Sequence, residues 1–352
     1  MHSTSRQRKR DRRLWDKLVF LLLDKRRFHC RVCGRVFTES DPVFGMKRRS
    51  SHRFREYLGK EAQHQTVKRV AENERVGEGL VRRCLTEVSA PCMVTQNQPP
   101  EDLEVIGLDE HSVKRRHVYD TTLCDLERHL VVGIVTGRGS KGVEGYLKRL
   151  PHPERVRVVV MDMHEPYRRA VRRCLPLKPI VADKFHVISQ TNHALDQVRR
   201  RRQREADPER RAELFRCRWL LLKGAERLTP EEQPQLARAL ADEELRSGWA
   251  LKEELRMWYQ SATPADAEER LSTWEETVRR QGPAEFRTLL SFCRTWRQEI
   301  LNYFTWPYTN GFVEGKNNRI KAIKRRGYGY RNRDNLRQQV FLSNRVLVAS
   351  AA

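Results

Sequence analysis

Four stretches decide the fold: Glu104-Val-Ile-Gly-Leu-Asp109, His117 to Leu126 (HVYDTTLCDL), Arg128 to Thr136 (RHLVVGIVT) and Val156-Arg-Val-Val-Val-Met-Asp162. The first and last are apolar runs too short for helices, and each is closed by an acid, as a strand buried on both faces would be. The middle two read as strands that pair with the first in a meander. Gly137 and Gly139 then break the chain, Val143 to Leu150 and Tyr167 to Cys174 suit helices, and Pro179 to Ala182 is a short fifth strand ending in Asp183. Three meander strands followed by two strands with helical crossovers predict one mixed five-stranded sheet.

Beyond this sheet, helix formers dominate from Val187 to about Tyr303, with Trp219, Trp249, Trp258, Trp274 and Trp296 interspersed, which predicts an all-helical insertion with most of those rings in its core. Upstream, Leu18 to Phe28 reads as a strand followed by the knuckle Cys30-Arg-Val-Cys33-Gly34. Two thiols on such a turn are half of a Zn2+ site, and a reduced thiol pair gives the same pattern. From Phe54 to Leu85 the chain reads as helical, with Thr66 capping Val67, Val70 and Ala71, a break from Glu72 to Gly79, and a second helix carrying Leu80, Val81 and Leu85. A helix-turn-helix or an ordinary helical hairpin fits, and in the first case Arg82 and Arg83 face DNA. Pro91, Pro99 and Pro100 mark a linker.

Composition narrows the function class. The 352 residues carry 70 Lys+Arg against 46 Asp+Glu, a formal net charge of +24, unlike a neutral metabolic enzyme. Residues 1–60 hold 18 basic and 6 acidic residues, residues 205–285 hold 13 and 18, and residues 319–337 hold 8 and 1. A chain basic at both ends and acidic between them points to a polyanion, although a run such as Arg199 to Arg204 (RRRRQR) also suits a merely solvated face. The longest apolar run, Leu18 to Leu23, is far shorter than the ~20 residues of a membrane helix, and eight scattered cysteines are no secreted disulfide framework. A soluble cytoplasmic, nucleoid-associated protein with no membrane contact is expected.

Asp109, Asp162 and Asp183 each close an apolar strand. Convergent carboxylates on rigid strands suit Mg2+ or Mn2+, the ions of two-metal phosphodiester chemistry, whereas one such Asp alone is more often a turn or cap residue. The order of elements is that of the ribonuclease-H-like fold. The segments GLDEHSVKRRHVYDTTLCDLERHLVVGIVTGR (107–138), VVMDMHEPYRRAV (159–171), IVADKFHVISQ (180–190) and YTNGFVEGKNNRIKAIKRRGYGYR (308–331) resemble the catalytic blocks of the ISL-three family of bacterial insertion-sequence transposases.

The resemblance implies an Asp-Asp-Glu enzyme with Asp109, Asp162 and Glu314 as acids and metal ligands. Local pattern alone does not nominate Glu314, since a Glu near a helix start ordinarily just suits the dipole. Asp183 and His186, from Asp183-Lys-Phe-His186, become accessory residues, with His186 contacting the reacting strand or serving as a hydrogen-bonded core histidine. Lys321, Lys324, Arg325, Arg326 and Arg331, interleaved with Tyr328, form a strip expected to neutralise phosphates while the aromatics stack on unpaired bases.

The family's zinc ribbon is represented here by its second half, RRFHCRVCGRVF, which makes Cys30 and Cys33 candidate Zn2+ ligands and puts specific end binding in doubt. The expected organisation is a basic arm and partial zinc ribbon (1–50), a helix-turn-helix (51–90), a linker (91–101), the first part of the core (102–190), the helical insertion (191–303), and the last part of the core with third acid and basic helix (304–352). The implied reaction is metal-assisted cleavage at transposon ends and strand transfer. Its partners are duplex DNA at terminal inverted repeats and target sites, and at least a dimer of the chain. A catalytically silent protein occupying transposon ends and a ribonuclease-H-like nuclease are the rivals.

Overall fold

The computed structural model describes the chain except Met1, Ser40, Met46, Lys47, Gln98, residues 115–117, Arg331 and residues 350–352. It divides into two compact units, Met1–Asn97 together with Arg319–Ala352, and Gln98–Asn318.

The first unit opens with an antiparallel sheet of β1 (Ser3–Arg10), β2 (Phe20–His29) and β3 (Val36–Thr38) in that order. The basic arm is thus a strand, paired with β2 from Ser3↔Arg27 to Arg10↔Phe20. Its sequence, STSRQRKR, has no apolar alternation to announce it. It is held instead by the ladder and by its cations: Arg6 pairs with Asp24 at 2.8 Å, and the buried Arg10 guanidinium lies over Phe20 and Phe54. The knuckle forms the β2–β3 turn, closed by Gly34 N–H to Cys30 O at 3.0 Å. Among the described residues, no cluster of three metal-type side chains includes Cys30 or Cys33, so the zinc expectation rests on the two thiols alone.

Three helices follow, α1 (His52–His64), α2 (Val67–Glu74) and α3 (Glu78–Asn97). Ser51 caps α1 and donates to buried Asp11, while Thr66 caps α2 as expected. The break between α2 and α3 is shorter than its sequence suggests, a tight turn through left-handed Arg75 (φ 51°) and Gly77. Helices α1 and α3 cross closely at Gly59, where a Cβ would stand 2.7 Å from the Cys84 carbonyl oxygen. The expected linker is corrected in part: the chain stays helical through Pro91 to Asn97, because proline removes only one helical hydrogen bond while Val81, Cys84 and Leu85 bury the preceding turns.

The second unit is built on a five-stranded sheet in the order β6-β5-β4-β7-β8: β4 (Val105–Lys114), β5 (Val118–Asp125), β6 (Leu130–Thr136), β7 (Val158–Met161) and β8 (Ile180–Ala182). β5 runs antiparallel to β4 and β6, and β4, β7 and β8 are mutually parallel, consistent with the ribonuclease-H-like arrangement. Helices α4 (Ser140–Leu147) and α5 (Glu165–Cys174) make the crossovers, and Tyr146, Tyr167 and Val171 from them are fully or almost fully buried in the core with the strands.

The insertion begins within α6 (Lys184–Glu205) and continues through α7 (Pro208–Arg216), α8 (Arg218–Leu222), α9 (Gln233–Ala239), α10 (Glu243–Trp258), α11 (Pro264–Gln281), α12 (Ala284–Thr295) and α13 (Arg297–Leu301). Trp258, Trp274 and Trp296 are buried in it, whereas Trp219 is exposed. The arginine run is mainly structural: Arg199 bonds the Leu214 carbonyl of α7 at 3.2 Å, Arg201 bonds Glu285 at 2.9 Å and Arg202 bonds Asp242 at 2.7 Å, which ties α6 to its neighbours.

α14 (Gly311–Arg326) starts in the second unit, and its end, with α15 (Arg333–Ala349), belongs to the first. Gln339 on α15 donates to the Ala62 carbonyl at 2.7 Å. The segment from Arg319 onward is therefore grouped with the N-terminal helices, where the sequence reading assigned it to the core. Among the described residues, no helix is long and apolar enough to cross a membrane.

Candidate active site

The register of the parallel strands builds the site. Leu108 pairs with Met161, and Met161 with Ala182, so the next residues, Asp109, Asp162 and Asp183, stand at one level on three adjacent strands. Asp162 and Asp183 follow the ends of β7 and β8, whereas Asp109, expected to close its strand, lies inside β4, which runs on to Lys114 paired with β5. Strands buried on both faces hold these positions rigidly: Leu108, Val158 to Met161 and Val181 are wholly buried.

α14 lies across this edge because glycine lets it. A Cβ at Gly107 would stand 2.6 Å from Val313 Cγ2 and 2.7 Å from Leu126 Cδ2, and Val313 is fully buried. Gly107→Ala is therefore expected to cost about 1–3 kcal/mol through overpacking, read as a lower melting temperature, and to depress activity by displacing α14.

Two asparagines carried by this helix segment touch the acids, and sequence reasoning missed both. Asn310 donates from its backbone N–H to Asp183 at 2.9 Å, and from its amide to the Leu108 carbonyl at 2.7 Å and to Asp162 at 3.4 Å. Asn317 donates to Asp109 at 2.8 Å, and Thr122, itself bonded to His111 at 3.0 Å, donates to the Asn317 carbonyl at 2.7 Å. The sequence signal is weak: Asn310 stands at the cap position before α14, where asparagine is ordinary, and only Asn317, a poor helix former inside the helix, wants a polar reason. Glu314, four residues after Asn310 and three before Asn317, shares their face of α14; it is exposed, and its N–H closes the first turn to the Asn310 carbonyl at 2.9 Å.

Asp183 caps α6, accepting from the His186 N–H at 3.3 Å, and His186 Nδ1 stands 3.0 Å from Asp162 and 3.6 Å from Asp183. Asp162, Asp183 and His186 thus form one cluster whose ligand atoms all lie within 4.8 Å. Asp183, expected as an accessory residue, lies in this cluster with both of its oxygens engaged by the fold, one by the Asn310 N–H and one by the His186 N–H. Burial first, then the charge of Asp162, pushes the Asp109 carboxyl up to about 7. Hydrogen bonds to Asp162 and then Asp183 push the His186 imidazole up to about 10, which keeps it cationic between those two acids.

The donor set fits a hard divalent cation, which takes carboxylate and carbonyl oxygens. Asp109 and Asp162 are adjacent acids, and the Asn310 Oδ1 atom is buried with no hydrogen-bond partner.

The expected DNA-contacting residues fall in the first unit. Arg82 and Tyr328 line one groove of about 580 Å³ with Lys68 and Tyr330, far apart in sequence. Arg83 lines another recess of about 610 Å³ with Arg10, Arg48 and Arg49. Lys321, Arg325 and Arg326 are exposed along α14 and Lys324 is half-buried; Arg326 also donates to the Gln63 carbonyl. Tyr328 is 95% exposed in a left-handed conformation, φ 52°. Arg331 lies outside the described residues.

Residues 106–340 match the ISL3 (ISL-three) family, described as transposase. The chain is 28% identical over 342 residues to the transposase for insertion sequence element IS1001 of Bordetella parapertussis, covering 95% of this chain and 83% of that protein. It is 26% identical over 257 residues to the transposase for IS1557 of Mycobacterium tuberculosis, covering 66% of this chain and 58% of that protein.

Proposed function

From the premise that the chain belongs to the ISL3 family of transposases, we propose that it cleaves DNA strands at the ends of an insertion sequence and joins the freed 3′-hydroxyl to target DNA. Asp109, Asp162 and Glu314 are its catalytic acids. One observation carries this reading: the parallel ladder of β4 and β7 closes at Leu108↔Met161, which sets Asp109 and Asp162 side by side just beyond it, and the helix that presents Glu314 also supplies the asparagine bonded to Asp109.

The residues divide the work. Asp109, Asp162 and Glu314 would hold Mg2+ or Mn2+. When bound, such ions supply Lewis acidity toward the scissile phosphate and lower the pKa of bound water. Asn317 fixes the rotamer of Asp109. Asn310 ties Asp162 and the α6 cap to the β4 backbone at Leu108, and His186 offsets the charge of Asp162. Asp183 holds the first turn of α6 and so the imidazole.

Duplex DNA is held by the first unit, with α2 and α3 as the helix-turn-helix and the exposed cations of α14 on the backbone. Affinity then falls with salt, at a slope of about −0.9 in log K per log salt for each phosphate neutralised. Arg325→Ala is expected to reduce that slope by about 1 and to weaken specific and nonspecific duplexes alike; an unchanged slope removes Arg325 from the interface. The reading as a whole is tested with purified chain, Mn2+ and labelled duplexes from the DNA flanking its coding segment. Specific nicks at the ends are the expected result, and binding without cleavage would favour a silent end-binding protein.

A further inference from the structure

Resting on that reading of the acid site, we propose that Phe185 is a base-stacking residue, which takes the nucleobase next to the scissile phosphate while Lys184 holds a phosphate of the same strand. Phe185 sits on the first turn of α6, between the cap Asp183 and His186, and the residue is 54% exposed. A phenyl left in water there contributes little to folding, since burial is what stabilises apolar surface.

Its position is set by the site. The ring edge comes within 3.8 Å of the place a Cβ would occupy at Gly311, the first residue of the helix that carries Glu314. The neighbouring His186 reaches Asp162 at 3.0 Å. The ring thus lies between the start of the helix that carries Glu314 and the histidine that reaches Asp162, where a base adjoining a phosphate at the acids would meet it.

Lys184 supplies the complementary charge. Its ammonium is held by the Tyr303 hydroxyl at 3.1 Å and lies 5.5 Å from the Phe185 ring centroid. Tyr303 is itself fixed edge-on against Tyr259 at 5.3 Å and Phe304 at 5.5 Å. The lip therefore offers a cation for a phosphate beside a flat apolar face for a base, the combination that recognises an unpaired strand.

The test is a cleavage cycle on the full chain in Mn2+, with duplexes from the DNA flanking its coding segment and a single abasic site stepped through the nucleotides around the cut. Phe185→Ala is expected to lower kcat/KM about 5- to 150-fold, the worth of one stacked base, at an unchanged melting temperature, and Phe185→Trp to restore it. At one position the abasic site is expected to lower wild-type cleavage by the same factor and to leave the alanine variant unaffected. Penalties that add at every position, wild-type activity in Phe185→Ala, or a changed oligomeric state as the variant's sole defect would each overturn the inference while the Asp-Asp-Glu reading stands. Failure of the wild-type chain to cleave any of these duplexes would overturn that reading, and the inference with it.

Discussion

Asp109→Asn and Asp162→Asn are each expected to lower Mn2+-dependent strand cleavage by about 10³-fold or more while leaving duplex affinity nearly unchanged. A metal-held charge contributes several kcal/mol at the transition state, and each 1.36 kcal/mol is a factor of ten in rate. Neither side chain belongs to the unit that bears the basic strip. The same substitutions have a second readout. Asp109 is held up to about 7 against 3.8, and His186 up to about 10 against 6.5. A carboxyl raised in the fold binds its proton more tightly than in the unfolded chain, so stability falls as pH rises from about 4 to 7. A histidine raised in the fold adds stability that is lost as pH rises from about 6.5 to 10. Metal-free protein is therefore expected to melt at a lower temperature at pH 9 than at pH 5, and Asp109→Asn to flatten the lower half of that decline. Full cleavage by either asparagine variant would remove that acid from the mechanism.

The second large effect separates Glu314 from Asp183. Glu314→Gln is expected to reduce cleavage by about 10²- to 10³-fold, as loss of one preorganised charge-stabilising group does, without lowering the melting temperature, because its exposed side chain supports no buried contact. Asp183→Ala is expected to do the reverse. It removes the cap of α6 and the acceptor for the Asn310 N–H, a loss of about 1–3 kcal/mol seen first in stability, and Asp183→Asn restores much of it. Cleavage that survives Glu314→Gln but not Asp183→Asn would move the metal to the Asp162, Asp183 and His186 cluster.

The sheet was legible because strands buried on both faces are written as apolar runs, and Leu108, Val158 to Met161 and Val181 are such residues. The same runs, ending in acids, made Asp109 and Asp162 visible. Glu314 was legible only by resemblance, since a single Glu in a first turn carries no periodic signal. The asparagines that orient the acids were missed for a related reason: Asn317 meets Asp109 across 208 residues of chain, and no local pattern encodes such a contact. β1 escaped because its eight residues are all polar and are stabilised by pairing and cations rather than by an apolar face. The helix through Pro91 escaped because the proline rule is local, while α3 is fixed by its packing.

Anomalous scattering from crystals of the full chain soaked in Mn2+ tests the central claim most directly. The account predicts manganese between the carboxylates of Asp109 and Asp162, with Glu314 turned in from α14 as a ligand and Asp183 still capping α6. Manganese held by Asp162, Asp183 and His186, with Glu314 remaining in solvent, would contradict it.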